Sequence, residues 1–243
     1  MAFQFALETR KGSQYLALGV LIPGLSVLLG AVVAPAGAAI ATPLPTTLPL
    51  VLSEAIDFVA EGKRLLAERD FPGAERAFRQ ALQANPEDAK SHNNLGHALA
   101  QQGKLEPAIA SFRRALKLNP ELAAAHYNLG FALAQQGHQL AAIAAFRQAV
   151  RLNSEDPDSH YYLGVVLGQQ GRTSEAIAAY RRTIELDASY AEAYGNLGVS
   201  LLQQGKRAEA VRALKQAKEQ FLKQGRRQDA ARAERYIQQI EGQ

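Results

Sequence analysis

Residues of the same type recur every 34 positions through most of this 243-residue chain. One set is made of glycines: Gly62, Gly96, Gly130, Gly164 and Gly198. A second set is mostly aromatic: Phe78, Phe112, Phe146, Tyr180 and Leu214. In each interval an apolar pattern of helical period precedes a glycine such as Gly103 or Gly137, and a second such pattern follows it. The spacing predicts internal repeats, each of them a helix–turn–helix hairpin.

The small residues in these sets indicate close helix packing. A glycine inside a helix costs about 1 kcal/mol relative to alanine, so its recurrence predicts a place where another helix crosses closely. We expect Gly130 to face Ala142 or its neighbours, and Phe146 to fill the wedge between one hairpin and the next. Asn85-Pro86 and Asn119-Pro120 are predicted to cap one helix and to place proline in the first turn of the next.

The pattern resembles the tetratricopeptide repeat family, in which a bulky residue, Leu-Gly, alanine, an aromatic residue, alanine and proline recur in register. Unit three carries it at His126, Leu129, Gly130, Leu133, Ala142, Phe146 and Ala149. The resemblance implies an all-α fold, a right-handed α-solenoid over residues 54–224. Its five 34-residue helix–turn–helix units are 55–88, 89–122, 123–156, 157–190 and 191–224.

The sequence departs from the family pattern at several positions. Glu61 replaces the usual leucine of unit one, and Leu214 replaces the aromatic residue of unit five. Ser154 and Ala188 stand where the closing proline is usual. After Gly225 an apolar stripe is formed by Ala233, Tyr236, Ile237 and Ile240. This stripe predicts a capping helix over residues 225–243 that covers the apolar end of the stack.

The N-terminal segment has a different composition, because residues 12–53 contain no charged side chain. Its most apolar part, Tyr15–Ala34, is long enough to cross a hydrocarbon core at about 1.5 Å per residue. Residues 1–41 are therefore predicted to be either a membrane anchor or a cleaved signal peptide. The signal peptide would have Arg10 and Lys11 before the apolar run and small residues up to Ala41 after it.

Both interpretations predict the same location for the repeats. Basic residues before an apolar run stay on the cytoplasmic side, so the rest of the chain is expected to be exported across a membrane or anchored to it, on the periplasmic or lumenal side. Pro43, Pro45 and Pro49 predict an extended, proline-rich spacer over residues 42–53. Ser53 is then predicted to cap the first helix of the array.

The resemblance implies that the first helix of each unit lines a concave groove in which such repeats bind other proteins. Counted from the first residue of a unit, positions six and thirteen are about two helical turns apart and share one helix face. These positions hold mostly amides: Asn94, Gln101, Asn128, Gln135, Tyr162, Gln169, Asn196 and Gln203. An amide both donates and accepts hydrogen bonds, so the two rows are predicted to bind a peptide backbone.

Side chains beside the amide rows are predicted to give selectivity. Position nine holds Lys63, His97, Phe131, Val165 and Val199, and position two holds Lys90, Asp158 and Glu192. Their charges have no single sign and identify no particular partner. The amide rows are similar to the asparagine-lined groove in the repeat domain of O-linked N-acetylglucosamine transferases. The alternative interpretation is that asparagine and glutamine serve solubility and capping.

The composition argues against chemistry carried out by this chain. It has no cysteine, and it lacks hydrolase, zinc-peptidase, phosphate-loop and dinucleotide motifs. His92, His126 and His160 recur one hairpin apart, too far to share a metal ion, so we assign them to packing. The 27 lysines and arginines against 23 acidic residues are too dispersed for a nucleic-acid-binding surface. We predict no catalysis, no cofactor and no metal.

These observations together predict a non-enzymatic protein–protein interaction scaffold that binds a peptide or protein segment in its concave groove, outside the cytoplasm. The alternative is a self-associating structural or assembly component of a membrane complex. The membrane is itself a partner only if the N-terminal segment is retained.

Overall fold

The chain forms a series of α-helices, each joined to the next by a short turn. The structure, a computed structural model, describes residues 48–242, and that part contains helices and turns but no strand. The helices are α1 Leu48–Ala67, α2 Phe71–Ala84, α3 Ala89–Gln101, α4 Leu105–Leu118, α5 Ala123–Gln135, α6 Gln139–Leu152, α7 Pro157–Gln169, α8 Thr173–Leu186, α9 Ala191–Gln203, α10 Arg207–Lys223 and α11 Arg227–Glu241. The predicted five hairpins and the terminal helix are all present.

Helix α1 begins earlier than predicted. It starts at Leu48, within the predicted spacer, and Pro49 lies in its first turn, where a proline displaces no helical hydrogen bond. The prediction that residues 48–53 are extended is therefore wrong, and so is the prediction that Ser53 caps the first helix, because Ser53 lies inside α1. The predicted signal peptide or anchor at residues 1–41, and the first part of the spacer, lie outside the described residues.

The turn inside each hairpin contains a residue with positive φ. In units two to five this residue is glycine, with φ between 71° and 81°: Gly103, Gly137, Gly171 and Gly205. In unit one it is Arg69, with φ of 64°. Glycine adopts this left-handed conformation without a Cβ clash, whereas an arginine there is strained. Unit one therefore makes the same turn as the others from a less suitable residue.

The helix glycines lie against the large side chain of their own hairpin. A Cβ placed on Gly130 would be 3.1 Å from the ring of Phe146, which lies one helical turn after Ala142 on α6, so the glycine faces a neighbour of Ala142, as predicted. Equivalent pairs are Gly62–Phe78, Gly96–Phe112, Gly164–Tyr180 and Gly198–Leu214. The ring of Phe146 also stacks on Tyr162 of the next unit, 6.1 Å between centroids. The aromatic residue therefore closes its own hairpin and also packs against the next one, as predicted.

The loops between units differ from the prediction in their prolines. Asn119 follows the last residue of α4, and its side-chain oxygen accepts a hydrogen bond from the Glu121 amide at 3.0 Å. Pro120 lies inside this turn, and α5 begins only at Ala123. Asn85 makes the same kind of turn in the preceding loop. Asparagine acts as the predicted cap, but the prolines lie in the loops and not in the first helical turn.

The helices form two layers. Each odd-numbered helix from α1 to α7 contacts the next odd-numbered helix, and every even-numbered helix up to α8 packs between the two odd-numbered helices that flank it in sequence. Within the described residues, consecutive even-numbered helices up to α10 make no comparable contact. The odd-numbered helices are therefore the closer-packed inner layer. A stack with one closely spaced layer and one spread layer is curved, with the inner layer on its concave side.

Helix α11 covers the end of the stack through an apolar face formed by Ala230, Ala233, Ile237 and Ile240, which are buried. The turn before α11 is also stabilised by ion pairs. Arg226 forms an ion pair with Glu192 of α9 and a second one with Asp229 of α11, at 2.8 Å. Its guanidinium group lies 4.7 Å from the centroid of the Phe221 ring. The terminal helix is thus fixed to the last two helices of the array.

Polar contacts between neighbouring units are unevenly distributed. Between units one and two, Glu75 accepts hydrogen bonds from Lys104 at 2.8 Å and from Gln102 at 3.0 Å. Between units two and three, Asn128 donates to Asn93 at 3.0 Å. Four contacts join units four and five: Asn196–Tyr161 at 3.1 Å, Gln204–Ser174 at 2.8 Å, Arg181–Glu209 at 3.2 Å, and Gln224 to the Ser189 carbonyl oxygen at 2.8 Å. The junction of units four and five is the most strongly cross-linked of these three.

Candidate binding groove

The predicted site residues lie on the inner helices. Helices α1, α3, α5, α7 and α9 carry all of them, in this order: Lys63; Asn94, His97 and Gln101; Asn128, Phe131 and Gln135; Tyr162 and Gln169; Asn196 and Gln203. The fold therefore collects residues from five separate segments on the concave side of one stack. Their exposure and their hydrogen bonds differ from row to row.

The row at position thirteen is the accessible one. Gln101, Gln135, Gln169 and Gln203 are all exposed at the last residue of their helices. The Nε2 atom of Gln101 lies 3.3 Å from Nε2 of His97. Burial lowers the pKa of His97, so its ring is neutral at pH 7 and can accept a hydrogen bond as well as donate one. This part of the groove offers a row of amides and a neutral imidazole to a bound segment.

Two residues of the row at position six form hydrogen bonds between neighbouring units. The side-chain nitrogen of Asn128 donates to Asn93 Oδ1 at 3.0 Å, and that of Asn196 donates to the Tyr161 hydroxyl at 3.1 Å. Each bond runs from position six of one unit to position five of the unit before. Asn196 is only 4% exposed, so its assignment to peptide binding is corrected: it is a structural residue between units. Asn94 and Asn128 are half-buried.

An aromatic cluster interrupts the amide rows at the middle of the array. Tyr162 replaces asparagine at position six of unit four, and its ring meets the edge of Phe131 at 5.3 Å and of Tyr161 at 5.1 Å between centroids. Phe131 and Tyr162 are half-buried, so parts of both rings remain accessible. Burial, with a smaller effect of the Asp158 and Glu192 charges, raises the pKa of the Tyr162 hydroxyl to about 12. The hydroxyl therefore stays protonated and can donate a hydrogen bond at physiological pH.

The three recurring histidines serve the loops between units. The Nε2 atoms of His92, His126 and His160 lie 2.9, 2.9 and 3.1 Å from backbone carbonyl oxygens in the preceding loop. Each ring can donate to a carbonyl of the loop before its helix, a contact that the spacing of the histidines did not predict. Within the described part of the chain no group of three or more metal-ligating residues is found.

Residues at two further positions contribute to the groove and were not predicted from the sequence. Position five, which holds Asn93 in unit two and Tyr161 in unit four, receives the hydrogen bonds from position six. Position fourteen holds a second glutamine: Gln102 donates to Glu75 and to the Phe71 carbonyl oxygen of the preceding unit. The Gln-Gln-Gly that recurs at the ends of α3, α5, α7 and α9 was the signal for position fourteen.

Stacked two-helix hairpins with residues collected along one curved surface define a helical-repeat scaffold for protein–protein interaction. Sequence models of the tetratricopeptide repeat match residues 65–111, 127–191 and 163–221, and a TPR repeat model matches residues 96–137. The chain belongs to the tetratricopeptide repeat family. The predicted likeness to the O-linked N-acetylglucosamine transferase repeats stays a prediction, since the comparisons point to other members of the family.

Solved structures with the same fold include MamA and YrrB. A MamA crystal structure is 31% identical in sequence, with a TM-score of 0.63, and the match covers 71% of this chain and 94% of that one. YrrB, described as a TPR protein with an unusual peptide-binding site, is 22% identical with a TM-score of 0.63 over 77% of this chain and 97% of its own. PilF of Pseudomonas aeruginosa is 18% identical with a TM-score of 0.61, covering 77% and 92%. The last two likenesses support the fold alone.

No curated protein sequence matches this chain significantly. Among the described residues no helix combines the length and the apolar character needed to cross a membrane.

Proposed function

We propose that this chain binds an extended peptide segment of another protein along the concave surface of α3, α5, α7 and α9, and that it does so without chemistry of its own. One observation carries the proposal: the row of glutamines at position thirteen is exposed in four consecutive units. Gln135, for example, has no hydrogen-bond partner within the described residues. The fold keeps these amides in a line and exposed, and an amide can both donate and accept hydrogen bonds.

A solved structure with the same fold provides a precedent. YrrB has the same fold and is described as having a peptide-binding site. An extended segment that enters a groove of repeated amides exchanges backbone hydrogen bonds with them, so affinity depends little on its sequence. The aromatic cluster at Phe131 and Tyr162 adds apolar area where the amide row at position six is interrupted. We therefore expect a backbone-reading groove with a local preference at its centre.

The test uses a degenerate pool of fluorescein-labelled nonapeptides, with the full chain in non-ionic detergent and fluorescence anisotropy as readout. The groove variant replaces Gln101, Gln135, Gln169 and Gln203 by alanine. The matched control replaces four exposed glutamines of the outer and terminal helices: Gln80, Gln83, Gln216 and Gln228. We expect the groove variant to bind the pool roughly tenfold more weakly, since several hydrogen bonds are lost, and the control to bind as the wild type does.

Equal binding by both variants would place any peptide-binding site away from the groove. Sedimentation of the same samples provides a second readout. A mass that rises with protein concentration, together with no peptide binding, would favour the alternative of a self-associating component over the proposal.

We also propose that the array works on the far side of a membrane. The support is in the sequence: residues 12–53 carry no charge, and Arg10 and Lys11 precede them. Fractionation of native cells with N-terminal sequencing of the recovered protein tests this. An intact N-terminus in the soluble cytoplasmic fraction would contradict it, whereas an intact N-terminus in the membrane fraction would indicate an anchor.

A further inference from the structure

The concave surface changes the sign of its charge along the array. Lys63 and Lys90, on α1 and α3, are exposed basic residues. At the other end, position two is acidic in two successive units, with Asp158 on α7 and Glu192 on α9. Position two lies about one helical turn before position six, so these carboxylates are on the side of the inner helices that carries the predicted groove residues. The two ends of the groove therefore differ in the charge that they attract.

Glu192 is one of two buried acidic residues in the described part of the chain, 4% exposed against 7% for Asp156. Its Oε1 atom accepts a hydrogen bond from Arg226. Its Oε2 atom is buried and has no hydrogen-bond partner among the described residues. Arg226 is shared with Asp229, 2.8 Å away, so two carboxylates divide one guanidinium group between them. A buried carboxylate oxygen without a partner is costly, and native proteins seldom leave one in that state.

Asp158 and Glu192 act on the same part of the groove. Asp158 lies one helical turn before Tyr162 on α7. Glu192 lies one helical turn before Asn196 on α9, and Asn196 donates to the hydroxyl of Tyr161, whose ring is 5.1 Å from that of Tyr162. Asp158 also accepts a hydrogen bond from the Tyr190 hydroxyl at 2.7 Å. Phe131 lies 5.3 Å from the Tyr162 ring centroid, at a right angle to it. Two carboxylates and two aromatic rings therefore surround one stretch between units three and five.

A basic side chain is the chemical group that this combination fits. A lysine or arginine can donate charge-assisted hydrogen bonds to carboxylates and can also interact with the faces of aromatic rings. An acidic side chain would be repelled, and a neutral amide would leave the negative charge uncompensated. The Oε2 atom of Glu192 supplies an acceptor that the folded chain does not itself use.

We propose that the groove at units four and five contains a subsite for a lysine or arginine of the bound segment, with Asp158 and Glu192 as its acceptors and Phe131 and Tyr162 beside it. The proposal rests on the proposed function, since it assumes that an extended segment occupies the groove. It adds a direction to that function: a segment with a basic residue over units four and five binds in one register, and Lys63 and Lys90 favour acidic residues at its other end.

Four labelled nonapeptide pools test the subsite. Each has degenerate flanks and one fixed central residue, which is lysine, arginine, glutamine or glutamate, and binding to the full chain is measured by anisotropy. We expect the lysine and arginine pools to bind roughly tenfold more tightly than the glutamate pool, with glutamine between them, and salt to reduce the difference.

Two neutral variants locate the preference. In Glu192→Gln and Asp158→Asn the ratio between the lysine and glutamate pools should fall to within about twofold. In Lys63→Gln, at the far end of the groove, the preference for lysine should persist. Thermal unfolding of each variant by circular dichroism verifies its fold, and Asp158→Asn carries the test if loss of the Arg226 ion pair unfolds Glu192→Gln.

The possible results separate the subsite from the groove. Equal binding of all four pools, lost in the four-glutamine variant, would overturn the subsite and leave the proposed function standing. A lysine preference that survives in both neutral variants would also overturn it. Failure of every pool to bind would contradict the proposed function and the subsite with it.

Discussion

The ring of Phe112 occupies the space that a side chain on Gly96 would need: a Cβ placed on this glycine would lie 2.6 Å from Phe112 Cε1. The ring is 1% exposed and cannot move out without opening the hairpin. We therefore expect Gly96→Ala to lower the free energy of unfolding by about 1–3 kcal/mol through overpacking. Urea denaturation of the full chain measures this.

Gly168→Ala is the matched control, because its added Cβ would be 3.7 Å from the nearest side-chain atom, an ordinary contact. Removing a flexible glycine from a helix should raise stability there by about 0.5–1 kcal/mol. If both alanine variants were equally stable, the contact between glycine and ring would not explain the recurrence of glycine.

The strained turn of unit one predicts a substitution that increases stability. Arg69 is exposed and has φ of 64°, where the other hairpins have glycine. Arg69→Gly should raise the free energy of unfolding by about 0.5–1 kcal/mol, because relief of the strain exceeds the added freedom of the unfolded chain. Gly137→Ala, at the same turn of unit three, should lower it by about 1 kcal/mol. A loss of stability in Arg69→Gly would mean that the arginine makes a compensating interaction.

The two amide rows should respond differently to truncation. Asn128→Ala removes the hydrogen bond to Asn93 across units, and we expect a loss of about 1 kcal/mol. Gln135→Ala removes an exposed side chain, and the change should stay within about 0.5 kcal/mol. Urea denaturation distinguishes them. Equal effects would contradict the division into a structural row and a binding row.

Acid should weaken the junction between units one and two. The Lys104 ammonium group, with Arg79 and Gln102, lowers the pKa of Glu75 to about 2. Since the pKa is lower in the folded state than its ordinary value of about 4.3, the stabilisation is complete above that value and is lost as the pH falls toward 2.

Glu75→Gln tests this pH dependence by urea denaturation from pH 7 to pH 2. It should be less stable than the wild type by about 1 kcal/mol at pH 7, and the difference should disappear near pH 2. Glu121→Gln removes an exposed carboxylate that forms no ion pair in the described part of the chain. It should stay within about 0.5 kcal/mol of the wild type at pH 7. A Glu75→Gln difference that persists at pH 2 would show that charge is not its cause.

Hairpins, unit boundaries and the terminal helix could be predicted because packing imposes them on the sequence. A glycine that must lie under a phenyl ring recurs wherever the ring does, as Gly130 and Phe146 show. Burial of the groove residues could not be predicted in this way. Asn128 and Asn196 occupy the same position of their units, yet Asn196 is buried beside Tyr161 whereas Asn128 is half-buried. The outcome depends on a neighbour one unit away, which the pattern within a unit does not contain.

The turn before α11 was also open to prediction. Gln224-Gly225-Arg226 repeats the pattern of Gln204-Gly205-Lys206, and both glycines have φ of 74°. Helix α10 therefore closes unit five and also forms a hairpin with α11 through a turn of the same kind. The partnership of Arg226 with Glu192 could not be foreseen, because the two residues are joined only when α11 folds back.

The uneven distribution of polar contacts has a mechanical consequence. Units four and five are joined by four polar side-chain contacts, whereas Asn93 and Asn128 join units two and three. Bending should therefore concentrate at the junction of units two and three. This junction would act as a hinge between two stiffer parts of the array. A segment bound on both sides of this hinge would have to hold it still. Part of the binding free energy would then be spent on immobilising the scaffold, and a variant with a stiffer second junction would bind the same segment more tightly.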